Sequence, residues 1–167
     1  MPVSLINLEP RLETLPQKHL VGTCVQTHLM ENKIPFLWQS FMPRRNEIHN
    51  RIGQDLYSIQ VFEPGFNYLN FTPQTVHQRW ATAEVSNFDN VPEGMATLTL
   101  EGGLYAVFTY KGRPTSFPDT WKYIYFEWLP KSGYTLAEKP HFEILGSLYI
   151  NNHDDSIEDI YVPIKPI

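Results

Sequence analysis

The spacing of apolar positions divides the chain into strand-like and helix-like segments, in an order that occurs twice. The first strand signal runs from about Glu13 to His28 and is strongest at His19-Leu20-Val21-Gly22-Thr23-Cys24-Val25, rich in small and β-branched residues. Ile34, Leu37, Trp38, Phe41 and Met42 then recur at helical spacing and form one apolar face. Asn32 stands where it can cap that helix. Pro35 falls in its first turn, where a missing N–H costs little, and Pro43 disfavours helix at the residue before it. Asp55 to Phe62 and Gln78 to Val85 alternate as strands, separated by the turn Glu63-Pro64-Gly65-Phe66-Asn67 and an irregular stretch around Asn70 to Gln74. Ser86 to Gly94, with Asn87, Asp89, Asn90 and Pro92, is the clearest linker.

The order then repeats. Met95 to Leu100 and Tyr105 to Tyr110 flank Gly102-Gly103, a break or bulge in a long strand. Ser116 and Asp119 suggest a capping-box-like start, and Trp121, Ile124, Tyr125 and Trp128 follow the i, i+3, i+4, i+7 pattern of a second helix. Pro130 is expected to end that helix, with Gly133 in the turn beyond it. His141 to Leu145 and Ile157 to Ile164 are the closing strands. Each half therefore reads β-α-β-β. Phe41-Met42-Pro43 answers Trp128-Leu129-Pro130, and Leu56-Tyr57 falls where Phe142-Glu143 falls, at an offset of about 86 residues. The expected fold is α+β: a tandem βαββ repeat, about 10–86 and 95–165, with two antiparallel sheets meeting across a pseudo-twofold axis. Each half is too short for a secure core of its own, so residues 1–167 are expected to form one domain. Its first 18 residues begin loosely, with Pro2, Pro10 and Pro16 restricting the backbone.

Composition narrows the function. The formal net charge is −5 and the one basic pair is Arg44-Arg45, so nucleic-acid binding has little electrostatic support. An acidic chain that is 14% aromatic suits a neutral or cationic organic ligand better than an anionic one. Cys24 is the one cysteine, which excludes an internal disulfide and disfavours a structural zinc site. The six histidines show no paired metal spacing, and Asn151-Asn152-His153-Asp154-Asp155 lacks the glycine and terminal glutamate of a calcium loop. No metal or cofactor is therefore expected. There is no Gly-x-Ser-x-Gly elbow and no phosphate-binding glycine loop. No apolar run reaches membrane length and no leader pattern opens the chain, so the expected location is cytoplasmic. The sequon Asn70-Phe71-Thr72 would matter only on a secretory route.

Gly103-Leu104-Tyr105-Ala106-Val107-Phe108-Thr109-Tyr110-Lys111-Gly112, Trp128-Leu129-Pro130-Lys131-Ser132-Gly133-Tyr134, Phe142-Glu143-Ile144 and Glu158-Asp159-Ile160-Tyr161-Val162-Pro163-Ile164 resemble the GyrI-like small-molecule-binding domains. Such domains also serve as effector-binding domains of some AraC-type and multidrug-responsive regulators. The first half matches in layout and in Leu12-Glu13-Thr14-Leu15-Pro16 and Leu20-Val21-Gly22. The resemblance implies paired βαββ units (an SHS2 repeat) around a central ligand groove, with the family's buried acid at Glu143 facing flat, lipophilic cations. Another branch resembles hydrolases of reactive electrophiles that use a glutamate with a tyrosine. No segment able to bind DNA is expected before or after the domain.

Glu143 lies in an apolar strand, and a carboxylate there needs a reason, because Glu is rarely buried unpaired. It is read as the one charged feature of an aromatic cavity, attracting an organic cation whose charge is cheaply desolvated, with cation–π attraction of roughly 0.5–2 kcal/mol per ring. Tyr57, at the matching repeat position, is expected to face it across the groove. Trp38, Trp80, Tyr105, Phe108, Trp121 and Tyr125 are the candidate walls, although alternation sets Tyr105 and Phe108 on opposite faces of one strand. The first functional expectation is binding of a lipophilic, cationic or aromatic small molecule, without direct contact to nucleic acid or membrane. The alternatives are a small hydrolase using Glu143 and Tyr57 and a module that binds a partner protein.

Overall fold

The computed structural model describes residues 4–167, so the expectation at Pro2 lies outside the described residues. Among these, nine strands form: β1 (Arg11–Leu15), β2 (Lys18–Thr27), β3 (Arg51–Val61), β4 (His77–Val85), β5 (Ala96–Leu100), β6 (Gly103–Lys111), β7 (Tyr134–Leu136), β8 (His141–Leu145) and β9 (Ile157–Pro166). Helix α1 spans Ile34–Phe41 and continues as a 3₁₀ turn over Met42–Glu47. The second helical segment is α2 (Phe117–Lys122), then a π-helical stretch over Tyr123–Trp128, ending at Leu129–Lys131. Asn32 does serve the start of α1, accepting from the Ile34 N–H at 3.0 Å. Ser116 holds the N-cap position of α2 but its side chain makes no capping bond. Pro130 falls inside the last helical turn rather than ending it. A proline costs least where the i−4 ladder is already interrupted, and the wider π turn interrupts it just upstream.

The sheet order is β1-β6-β9-β8-β3-β4-β2-β5, with β7 paired to β9 beside it. All pairings among the described strands are antiparallel. The order falls into two four-stranded halves, β5-β2-β4-β3 and β8-β9-β6-β1, each holding three strands of one repeat and one strand exchanged from the other. They meet edge to edge through β3 and β8, where Ser58 lies opposite Glu143 and Gln60 opposite His141. Equivalent positions run through both halves: Arg11 answers Ala96, Val25 answers Tyr110 and Ser58 answers Glu143. This spacing is one residue shorter than the one read from the sequence.

Chain continuity makes the sheet curl. β1 and β2 are joined only by Pro16 and Gln17 yet lie near opposite ends of the strand order, and β5 and β6 are joined only by Glu101 and Gly102. The two ends must come together, and the two short connections touch. A Cβ on Gly102 would sit 2.5 Å from the Leu15 carbonyl oxygen. Gly102-Gly103 is thus a crossing point between separate strands, the break rather than the bulge. Inside the curl, Leu20, Tyr57, Ile59, Trp80, Leu100, Tyr105, Val107, Phe142 and Tyr161 form one buried cluster. The other face carries the helices. α1 covers Val21, Leu56, Ala81 and Ala83, and the second helical segment covers Ala106, Phe108, Ile160 and Val162.

Gly102→Ala is expected to lower unfolding free energy by about 2 kcal/mol or more, because the added carbon meets backbone that cannot yield cheaply. Urea denaturation measures this directly; an unchanged midpoint would mean that the two connections do not hold the curl.

A buried charge cluster under an aromatic roof

Alternation along each strand decides what the seam presents to the helix-covered face. From β4 come His77, Arg79 and Ala81; from β3, Leu56, Ser58 and Gln60; from β8, His141, Glu143 and Leu145; from β9, Glu158 and Ile160. Polar side chains at the centre of a buried face are costly unless they satisfy one another. Here they largely do. Glu143 is 4% exposed, and its Oε2 accepts from the Gln60 Nε2 at 2.8 Å. Arg79 is buried, and its Nη2 donates to the Ser58 hydroxyl at 3.3 Å, directly across the seam from Glu143. Its Nε has no acceptor among the described residues. Glu158 is buried two residues along β9 from Ile160, the residue opposite Glu143. Glu143 is therefore not the one charged feature of the site: it shares it with a guanidinium and a second carboxylate.

The roof is aromatic. Tyr125, on the π-helical stretch, places its hydroxyl 2.6 Å from His141 Nδ1, and its ring stacks on Tyr68 with centroids 4.2 Å apart. The connection between β3 and β4 supplies Tyr68, Phe62, Phe66 and Phe71. Phe62 stacks on Phe66 at 4.0 Å and on His77 at 5.1 Å, while Tyr68 lies parallel to Phe71 at 5.4 Å. Trp121 reaches Tyr68 edge-on at 6.1 Å, and its Nε1 is buried without a partner among the described residues. The protein's own rings thus fill the space above the seam. A cavity of about 190 Å³ borders this roof between Phe62, Phe66, Glu138 and His141, where the Gly65 N–H donates to the Glu138 carboxylate at 3.1 Å. A larger one, about 420 Å³, lies elsewhere, between Glu9, Tyr123, Glu127 and Lys131. Neither touches Glu143.

Burial dominates the electrostatics. It pushes the Glu143 carboxyl up to about 7, against the opposing pull of Arg79 and the Gln60 amide. Burial also raises Glu158, to about 8, with the charge of Glu143 adding to the rise and Arg79 opposing it. His141 is driven down to about 3 by burial alone and is neutral, which lets Nδ1 accept from Tyr125. His77 is likewise lowered by burial. The Tyr125 phenol is raised well above its ordinary range by burial, then by Tyr68 and Glu143 nearby.

The sequence-derived candidates divide by face. Glu143, Tyr125 and Trp121 come together at the seam and its roof. Phe108 lies on the same face but beneath Trp128, at 5.2 Å, in the core of the second half. Trp38 packs edge-on against Phe41 in the first half. Tyr57, Trp80 and Tyr105 all point into the curl on the reverse face. Tyr57 pairs with Ile144 rather than Glu143, and its hydroxyl donates to Glu84 at 3.2 Å. The structure therefore does not bring Tyr57 and Glu143 together, and the acid–tyrosine pair needed by the hydrolase reading is not formed by these two. The physical reason is the one-residue difference in repeat spacing: side chains alternate along a strand, so a slip of one exchanges the faces. Ser58, not Tyr57, is the counterpart of Glu143. Sequence reasoning also missed Arg79, Glu158, Gln60 and Tyr68. The first three were detectable as polar residues in phase with the helix-facing positions of their strands, and Tyr68 as one of four aromatic rings between Phe62 and Phe71.

Comparison with known proteins agrees with the fold. The family model of the GyrI-like small molecule binding domain matches residues 8–165. The transcriptional regulator BrlR of Pseudomonas aeruginosa is 26% identical over 160 residues, which make up 95% of this chain and 56% of that protein. The chain thus spans little more than half the length of that relative. SAV2435, in its structure bound to tetraphenylphosphonium, superposes with a TM-score of 0.72 at 16% identity and 94% coverage of each chain. The C-terminal domain of EcmrR superposes with a TM-score of 0.68 at 13% identity, covering 95% of this chain and 98% of that one. No helix among the described residues is long and apolar enough to cross a membrane.

The perturbed groups give stability a defined pH dependence. Glu143 and Glu158 hold protons in the folded state that they have lost in the unfolded chain, from pH 4.5 up to about 7 and 8, so they make stability fall as pH rises through that range. His141 and His77 act oppositely, but only below their unfolded value of 6.5. Between pH 6.5 and 8 the carboxyls act alone, and unfolding free energy should fall by on the order of 1–2 kcal/mol. Urea denaturation at the two pH values measures it; Glu143→Gln should flatten the slope, and an unaltered slope in that variant would remove Glu143 from the account.

Proposed function

We propose that this chain, which belongs to the GyrI-like small molecule binding domain family, binds lipophilic organic cations at the seam of its two halves, with Glu143 as the electrostatic anchor. The observation that carries this reading is a carboxylate 4% exposed at the centre of the sheet, beneath an aromatic stack in which Tyr68, from a connecting segment, lies on Tyr125 of the helical segment. Such a site suits a ligand that is both greasy and positively charged. An ion with delocalised or shielded charge loses little hydration on entering, gains Coulomb attraction where the dielectric is low, and meets the faces of Tyr125, Tyr68 and Trp121. A small hydrated cation would pay too much in desolvation.

Binding requires the roof to move, because Tyr68 occupies the face of Tyr125 that a flat ligand would use. The connection between β3 and β4, residues 62–76, is suited to that movement. It is held to the body by ring stacking, by the bond from the Gly65 N–H to the Glu138 carboxylate and by the bond from the Met30 N–H to the Pro73 carbonyl at 3.1 Å. The ligand-bound neighbour SAV2435 supports the class of ligand, since tetraphenylphosphonium is a lipophilic monocation.

Tetraphenylphosphonium is accordingly expected to bind and to alter Trp fluorescence, with Trp121 the nearest reporter. Glu143→Gln should weaken binding by about tenfold or more, equivalent to about 1.4 kcal/mol, while a neutral analogue such as triphenylphosphine oxide should bind both proteins alike. Equal affinity of the cation for wild type and variant would refute the role given to Glu143.

A further inference from the structure

Resting on that reading, the composition of the cluster assigns a second carboxylate and a proton to the binding step. The seam has near twofold symmetry, with Ser58 and Glu143 at its centre. Arg79 lies diagonally from Ser58, beside Gln60, on β4; Glu158 lies diagonally from Glu143, beside Leu145, on β9. The strands on either side agree, since Arg79 pairs with Val25 and Glu158 with Tyr110, themselves equivalent positions. The two halves thus place opposite charges at equivalent positions flanking one acid.

Charge balance follows from this geometry. A guanidinium stays protonated, so the buried cluster holds one fixed positive charge. One ionised carboxylate offsets it. A second ionised carboxylate would leave a net negative charge out of water, at a cost that protonation avoids. We propose that Glu143 and Glu158 retain one proton between them in the ligand-free protein and release it to solvent when a monocation enters, so that binding exchanges a proton for the ligand's charge. The step balances: one carboxyl O–H bond breaks, the proton passes to buffer, and the carboxylate left behind faces the cation. Glu158 thereby helps set the charge class of ligand, favouring one positive charge over none or two.

The surroundings leave these two acids as the groups that titrate near neutrality. The cluster is faced by His77 and Arg79 from β4, His141 from β8, Tyr110 from β6, Tyr149 from the connection between β8 and β9, Tyr125 from the π-helical stretch and Tyr68 from the roof. Burial lowers both histidines and raises all four phenols away from the neutral range. Burial raises both carboxyls into it, Glu143 to about 7 and Glu158 to about 8.

Calorimetric titration of the full chain with tetraphenylphosphonium at pH 7.5, between the two carboxyl values and in phosphate and in Tris, counts the protons released. Roughly one per ligand is expected, with affinity rising close to tenfold per pH unit between about 7 and 8 and levelling above about 9. Triphenylphosphine oxide should release none. Glu158→Gln should bind the cation about tenfold more weakly and without proton release. Wild type that binds the cation with equal heats in the two buffers and a flat pH profile overturns the exchange while leaving the cation-binding reading intact. Failure of the cation to bind at any pH overturns both. A Glu158→Gln protein that still releases the full proton overturns the part given to Glu158, and if that variant does not fold, the wild-type buffer comparison decides alone.

Discussion

The antiparallel pairing of β3 with β8 is the constraint on which the rest of the structure depends. Facing pairs in such a ladder alternate between the two surfaces of the sheet. A twofold axis through the ladder must therefore pass through a residue pair and cannot pass between two. In this chain the pair is Ser58 and Glu143. Whatever occupies that pair is central to both halves, is shielded by three strands on either side and lies between the two helical segments. A carboxylate there has no route to water except through the helix-covered face. That face is closed by rings.

The charges follow from the same register. A duplicated fold brings equivalent positions into equivalent surroundings, and here one pair of equivalents has become Arg79 and Glu158. Buried charge does not favour stability by itself: removing charges from water costs several kcal/mol each, and hydrophobic replacement of such groups is often neutral or stabilising. In the proposed reading the seam is a binding site, where groups are kept imperfectly satisfied until a ligand completes them. The guanidinium Nε without an acceptor and the Trp121 Nε1 without a partner, among the described residues, belong to that picture. So does a roof made from a connecting segment, since rings stacked on rings can part without unfolding the sheet beneath.

The curl contributes differently. Its interior holds Tyr57, Trp80, Tyr105, Phe142 and Tyr161, with Phe142 stacked on Tyr161 at 4.6 Å. These aromatics are core, and they account for part of the aromatic richness that suggests a ligand cavity. The chain therefore uses similar side chains for two purposes on the two faces of one sheet, and only the alternation of each strand separates them.

Much of the fold can be read from the sequence because its causes are local. Periods of two and of about 3.6 mark strands and helices, Pro35 and the linker near Pro92 mark boundaries, and the repetition of β-α-β-β follows from comparing the halves. The strand His141–Leu145 is legible to the residue, and so is the anomaly of an acid within it. Tertiary structure decided what that acid meets. Register between strands distant in sequence depends on the packing of both faces at once, and a displacement of one residue carries a side chain from one face to the other. That is why Tyr57 lies inside the curl while Ser58 faces Glu143. It is also why Arg79 and Glu158, far apart in the chain, share one buried site. Composition and periodicity placed a carboxylate in an apolar strand; the pairing of four strands determined that a guanidinium and a second carboxylate stand beside it.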